Sequence, residues 1–195
     1  MNAEIETLID KQKIYEVLAT YCRGVDRCDA DLVRSVYHQD SYDNHGYWKG
    51  PGQEFADFVV GRLWTANSAT MHSLSNVLID IDSDGVARSE AHVTVTLVRR
   101  GADPITADVM GARYLDRLSK RDGVWKIEER TVVLDWTKVE TWHKAAAVVP
   151  LDGFTWGKRQ DRNDPIYTLL QHGSLRPAVT MKAGVALKSA VRRSD

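Results

Sequence analysis

The chain predicts an α+β fold: a curved antiparallel sheet forming a cone or half-barrel, covered by three N-terminal helices. Three observations carry this. Apolar residues recur with a helical period through the first third of the chain. From Ala69 onward the period changes to two. The alternating stretches are joined by tight turns, so neighbours pair as hairpins. A curved meander needs something over its apolar concave face, and the helices ahead of it are the candidates.

Ile5, Leu8, Ile9, Ile14, Val17, Leu18, Tyr21, Cys22 and Val25 mark one face of a long first helix, which Gly24 weakens near its end. Asp29 suits the N-cap of a short second helix over 30–37. Ser41 to Trp48 (SYDNHGYW) reads as a short strand or strand pair, and Lys49-Gly50-Pro51-Gly52 stops it. Pro51 fits the first turn of a third helix, over 53–66, with Phe55, Phe58, Val59 and Leu63 on one face. Strands follow over 69–81, 86–100, 106–118 and 124–136. Asp82-Ser83-Asp84-Gly85, Gly101-Ala102-Asp103-Pro104 and Lys120-Arg121-Asp122-Gly123 turn the chain between them. Beyond Trp136 the periodicity fades, although Trp142, Phe154 and Trp156 suggest that 140–170 still packs on the domain or on a neighbouring subunit. One domain over 1–172 is expected. A basic tail follows over 173–195, expected to be mobile or to contact a neighbouring subunit; Arg176, Lys182, Lys188, Arg192 and Arg193 face a single acid there, Asp195.

Composition excludes several classes of function. A formal charge of −1 gives no electrostatic case for nucleic acid or an anionic membrane. At 195 residues, 43% hydrophobic and 27% charged, the chain has the make-up of a soluble globular protein, with no apolar run long enough to span a bilayer. Cys22 and Cys28, without a secretory leader, are expected to be free thiols in a cytoplasmic protein. No metal site is expected: the cysteine pair lacks further ligands, and no His-x-His or helical Glu-x-x-His is present. No Gly-rich phosphate loop follows a strand, so no cofactor is expected either.

The stretch with chemistry in it is Tyr21 to Asp31, YCRGVDRCDAD. Leu18, Cys22 and Asp26 are spaced i, i+4, i+8, so Asp26 stands on the ridge that faces the interior. The capping role that usually explains such an aspartate belongs to Asp29. A buried carboxylate either finds strong partners or is held for chemistry. His72, in the first long strand, is the expected partner: an Asp–His pair is a minimal base, in which the carboxylate fixes the imidazole tautomer and stabilises the imidazolium. Asp43 and His45 share a face of their strand and either line the same pocket or belong to a solvated turn. Arg130, among Val132, Leu134 and Trp136, must meet an acid, in a structural salt bridge, or an anionic substrate group.

Helix order, meander and the Gly-Val-Asp-Arg that closes helix one together resemble the SnoaL-like branch of the nuclear transport factor 2-like superfamily. Trp48-Lys49-Gly50-Pro51, the His72-x-x-x-Asn76 strand and Asp122-Gly123-Val124-Trp125-Lys126 add to the likeness, which covers roughly 5–136. Hexachlorocyclohexane dehydrochlorinase, scytalone dehydratase and bile acid dehydratase are members of this kind. The resemblance implies a catalytic Asp26–His72 dyad, a catalytic Tyr21 and a site that Arg130 and Asn76 help to form. Where the dehydrochlorinase places a tryptophan, this chain has Asp43, so the pocket mouth is more polar. The expected function is a cofactor-independent lyase of dehydratase type, acting on a small, partly hydrophobic hydroxylated molecule. A C–C lyase of retro-aldol deformylase type, or an isomerase with the same dyad, is the alternative. A non-catalytic small subunit of a ring-hydroxylating dioxygenase is a third reading. A homo-oligomer is also expected, a trimer by resemblance or else a dimer, because Ala91, Val93, Val95 and Leu97 alternate with His92, Thr94 and Thr96 and an apolar convex face needs a cover.

Overall fold

The computed structural model describes residues 3–143, 150–173 and 175. The chain divides into two compact units, Met1–Asp164 and Pro165–Asp195. In the second, the described element is a single helix, α4 (Pro165–His172). The basic tail expected over 173–195 lies outside the described residues except for Gly173 and Leu175.

The first unit is α+β. Helices α1 (Ala3–Arg27), α2 (Ala30–Ser35) and α3 (Gly52–Ala66) cover a six-stranded sheet that does not close on itself. Its strands are β1 (Tyr37–Asn44), β2 (Lys49–Pro51), β3 (Asn67–Ile81), β4 (Val86–Arg99), β5 (Ile105–Arg121) and β6 (Val124–Trp142), in the order β2-β1-β6-β5-β4-β3. β3 to β6 form the expected antiparallel meander. β1 pairs antiparallel with β2 but parallel with β6, which places the 43–45 segment over the interior of the cone.

Local chemistry explains the helix boundaries. Asp29 caps α2, its side chain accepting the Leu32 N–H at 3.0 Å. Pro51 stands at the N-cap of α3, just ahead of the first turn that was expected to hold it. α1 runs through Gly24, whose missing side chain lets Val33 of α2 pack against it. Ile14, Leu18, Tyr21, Cys22 and Val25 of α1 enter one core with Phe55 and Val59 of α3 and with Val93, Val95, Tyr114, Leu118 and Ile127 of the sheet.

Two expectations are corrected by register. Ala91, Val93 and Val95 are buried, and Leu97 packs on the same core; this aliphatic row faces the helices, so it does not supply an apolar convex face. Trp136 does not share a face with Arg130. Opposite β5, Gly111 pairs with Trp136 and Ala112 with Leu134, so Asp135 is an extra residue that turns Trp136 to the other side of the sheet.

Candidate active site

α1 carries Asp26 near its C-terminal end, on the ridge it shares with Leu18 and Cys22; all three are buried. Asp26 Oδ1 accepts the His72 Nδ1–H at 2.7 Å, and Oδ2 accepts the backbone N–H of the same residue at 2.9 Å. Both carboxylate oxygens thus hold one residue of β3, fixing ring and strand together. An ionised aspartate can only accept, so the ring proton sits on Nδ1 and Nε2 carries the lone pair. His72 faces the inner side of the sheet, because its register partner Val95 belongs to the core. The side chains of Asp26 and His72 are 10% and 9% exposed, which makes this a nearly dry pair.

A second Asp–His pair stands beside the first. Asp43, fully buried on β1, accepts the Tyr37 hydroxyl at 2.6 Å and the His45 Nδ1–H at 2.5 Å. His45 Nε2 accepts the Tyr21 hydroxyl at 3.1 Å, and its ring stacks on Phe55 at 4.3 Å. Burial pushes the His45 imidazole below its usual pKa, against the pull of Asp43; Arg130 and His72 push the same way as burial. Burial also drives the Tyr21 phenol well above its ordinary value, reinforced by Tyr114 and Tyr37 and opposed by Arg130. Tyr21 therefore stays protonated.

Arg130 lies beneath this network with no exposed surface. Its guanidinium makes two 2.7 Å hydrogen bonds to Asp116 and stands 4.2 Å from the ring centres of both Tyr21 and Tyr114. Its acid is Asp116, not Asp26, and the geometry is that of a structural ion pair under the site. Asn76 is exposed, in a left-handed conformation (φ 47°) at an irregularity of β3, apart from the dyad. The structure thus joins Asp26 to His72 and, separately, Tyr21 to His45 and Asp43; Arg130 packs on the Tyr21 ring, and Asn76 stands exposed.

Tyr37, Tyr114 and Asp116 were missed. The signal for Asp116 was available: it shares a strand face with Tyr114 and Leu118 as an acid among buried residues, as Asp26 interrupts the ridge of α1. Cys22, which burial pushes up to about 12, is not a nucleophile. Arg159 ties the rim together, donating to the carbonyls of Asp26, Leu63 and Asn67 and to Cys28 Sγ. Among the described residues no cluster of three metal-ligating side chains occurs, and no helix is long and apolar enough to cross a membrane. An open cleft of about 560 Å³, lined by Asp80, Arg88, Glu90, Arg117 and Glu129 among others, does not include the dyad.

Comparison with solved structures returns the same architecture. A hexachlorocyclohexane dehydrochlorinase of type 2 superposes with a TM-score of 0.66 at 19% identity, over 75% of this chain and 100% of that one. A Novosphingobium aromaticivorans protein with the working name scytalone dehydratase gives 0.61 at 20% identity, over 72% and 93%. Another protein of that organism, with the working name aromatic ring hydroxylase, gives 0.60 at 19%, over 69% and 94%. A search of curated proteins returns no match. The SnoaL-like domain model matches residues 6–131, the span that contains every side chain of both Asp–His pairs, and the chain belongs to that family.

Proposed function

We propose that the protein is a cofactor-independent lyase that eliminates water from a small, partly hydrophobic hydroxylated molecule, with His72 as the base. The observation that carries this reading is the double grip of Asp26 on the His72 ring and backbone, which leaves Nε2 as the only ring nitrogen able to take a proton. Apolar Val95, Met110 and Leu134 lie on the same face of the sheet, in keeping with a hydrocarbon frame. In this reaction His72 removes a proton from carbon, Asp26 stabilises the imidazolium, and Tyr21 protonates the leaving oxygen. Asp43 and His45 form the polar side of the site. General acid–base assistance of this kind contributes about 10²–10⁴-fold, and positioning of the substrate against the base supplies the rest.

The same base, aimed at a hydroxyl instead of a carbon, would cleave a carbon–carbon bond, and returning its proton elsewhere would make an isomerase. A subunit with a purely structural role has no need of a histidine oriented in this way. Purified protein is assayed against hydroxylated ring compounds, and against a nitrobenzisoxazole, which any positioned base opens because its leaving group needs no proton. Asp26→Asn and His72→Ala are each expected to lose about 10²–10⁴-fold in turnover while remaining folded. The double variant is expected to be scarcely worse than either single one. Losses that multiply would mean that the two residues do separate jobs.

A further inference from the structure

We propose that Asp43, His45 and Tyr21 form a second proton-carrying unit that works opposite Asp26–His72, so that the cone holds one exchangeable proton between two imidazoles. This rests on the lyase reading above and adds the acid half of the reaction. The geometry has three parts. The short Asp43–His45 contact leaves His45 Nε2 as the only route for a proton in or out of that ring. Tyr21 is bonded to that atom. Asp43 is held from its far side by Tyr37, so it cannot turn away from the imidazole.

Every charged or titratable group around His45 has a place in this arrangement. Asp43 on β1 favours the imidazolium; Arg130 on β6 and His72 on β3 disfavour it. Tyr21 on α1 and Tyr114 on β5 flank it without charge, since burial keeps both phenols protonated, and the half-exposed Tyr47 ahead of β2 is also raised above its ordinary value. Like charges on the two imidazoles disfavour each other, so the proposed path runs on one proton, and the side that holds it sets the direction of a pass.

Dehydration begins with the proton on His45. His72 takes the proton from carbon, and the electrons of that C–H bond become the new double bond. The C–O bond breaks; its oxygen takes the Tyr21 proton and leaves as water, while Tyr21 takes the Nε2 proton of His45. No tyrosinate forms, which matters for a phenol whose ionisation is so strongly opposed. One pass ends with the proton on His72; before the next, His72 releases a proton to water and His45 takes one up, and hydration is the same path reversed. Tyr21 is 1% exposed, so its proton is shielded from bulk water and passes only to a molecule packed against it or to His45.

The test is a titration of the full-length protein, with its histidines labelled with nitrogen-15 and followed by NMR. Wild type is expected to show His45 taking up a proton at Nε2 as pH falls while its Nδ1 proton is retained. His72→Gln is expected to raise that midpoint by about half a unit or more, as coupled sites require. Tyr21→Phe, which keeps the ring packing, is expected to shift the His45 Nε2 resonance and leave those of His72 in place. A His45 midpoint unmoved by His72→Gln, or a His45 that stays neutral until the fold is lost, overturns the proposal. Neither result touches the His72 base, which stands or falls on the Asp26 and His72 kinetics.

Discussion

A buried imidazole that resists protonation makes folding depend on pH, and His45 is such a group. Its pKa in the fold is lowered by burial, from an unfolded value near 6.5. Above that value both states are neutral and the stability is fully present. As pH falls through it the unfolded chain binds a proton that the folded protein takes up only at lower pH, so stability declines until the lower folded value is passed. Urea midpoints measured at intervals from neutral to mildly acidic pH should fall accordingly, and His45→Gln should flatten part of that slope; an unchanged slope would place the titration elsewhere. The residues differ in how much of this was legible. Asp26 could be read because it interrupts an apolar ridge whose capping role was already filled, and period-two alternation puts Asp43 and His45 on one face. Their joining to Tyr21 could not be read, since it depends on where β1 crosses α1, a distance of 24 residues in sequence.

At the scale of elements, alternation and turn residues located the meander, but not its true lengths or its irregularities. β6 runs to Trp142, six residues beyond the point where its pattern fades, because backbone pairing with Ile105–Asp108 needs no buried side chains. The parallel pairing of β1 with β6 joins strands far apart in sequence, and no local signal marks it. The extra residue at Asp135 is equally silent. It creates a specific demand, however: the Trp136 indole lies over Gly111, where a Cβ would overlap it. Gly111→Ala should therefore cost about 1–3 kcal/mol through overpacking. Trp136→Ala should relieve most of that cost, so a double-mutant cycle by chemical denaturation should give a large favourable coupling. Additive losses would mean that the indole moves aside freely.

In the first unit a curved sheet must be held to the helices that cover it. Arg130 and Asp116 tie β6 to β5, both fully buried as side chains, and the guanidinium is packed against Tyr21 of α1 and Tyr114 of β5. One cation thereby joins the helix that carries Asp26 to the sheet that carries His72. Desolvating both charges offsets much of their attraction, so the pair contributes little net stability compared with an apolar replacement. Breaking it is another matter, because the remaining charge has no water to return to. Asp116→Leu should cost about 3–5 kcal/mol in urea unfolding, while Asp116→Leu with Arg130→Met should recover most of that loss. If the ion pair also sets the distance between α1 and β3, the refolded double variant should be stable yet slow, with turnover reduced more than stability. A double variant as unstable as Asp116→Leu alone would show that the tyrosine–arginine packing, rather than the unpaired charge, holds α1 to the sheet.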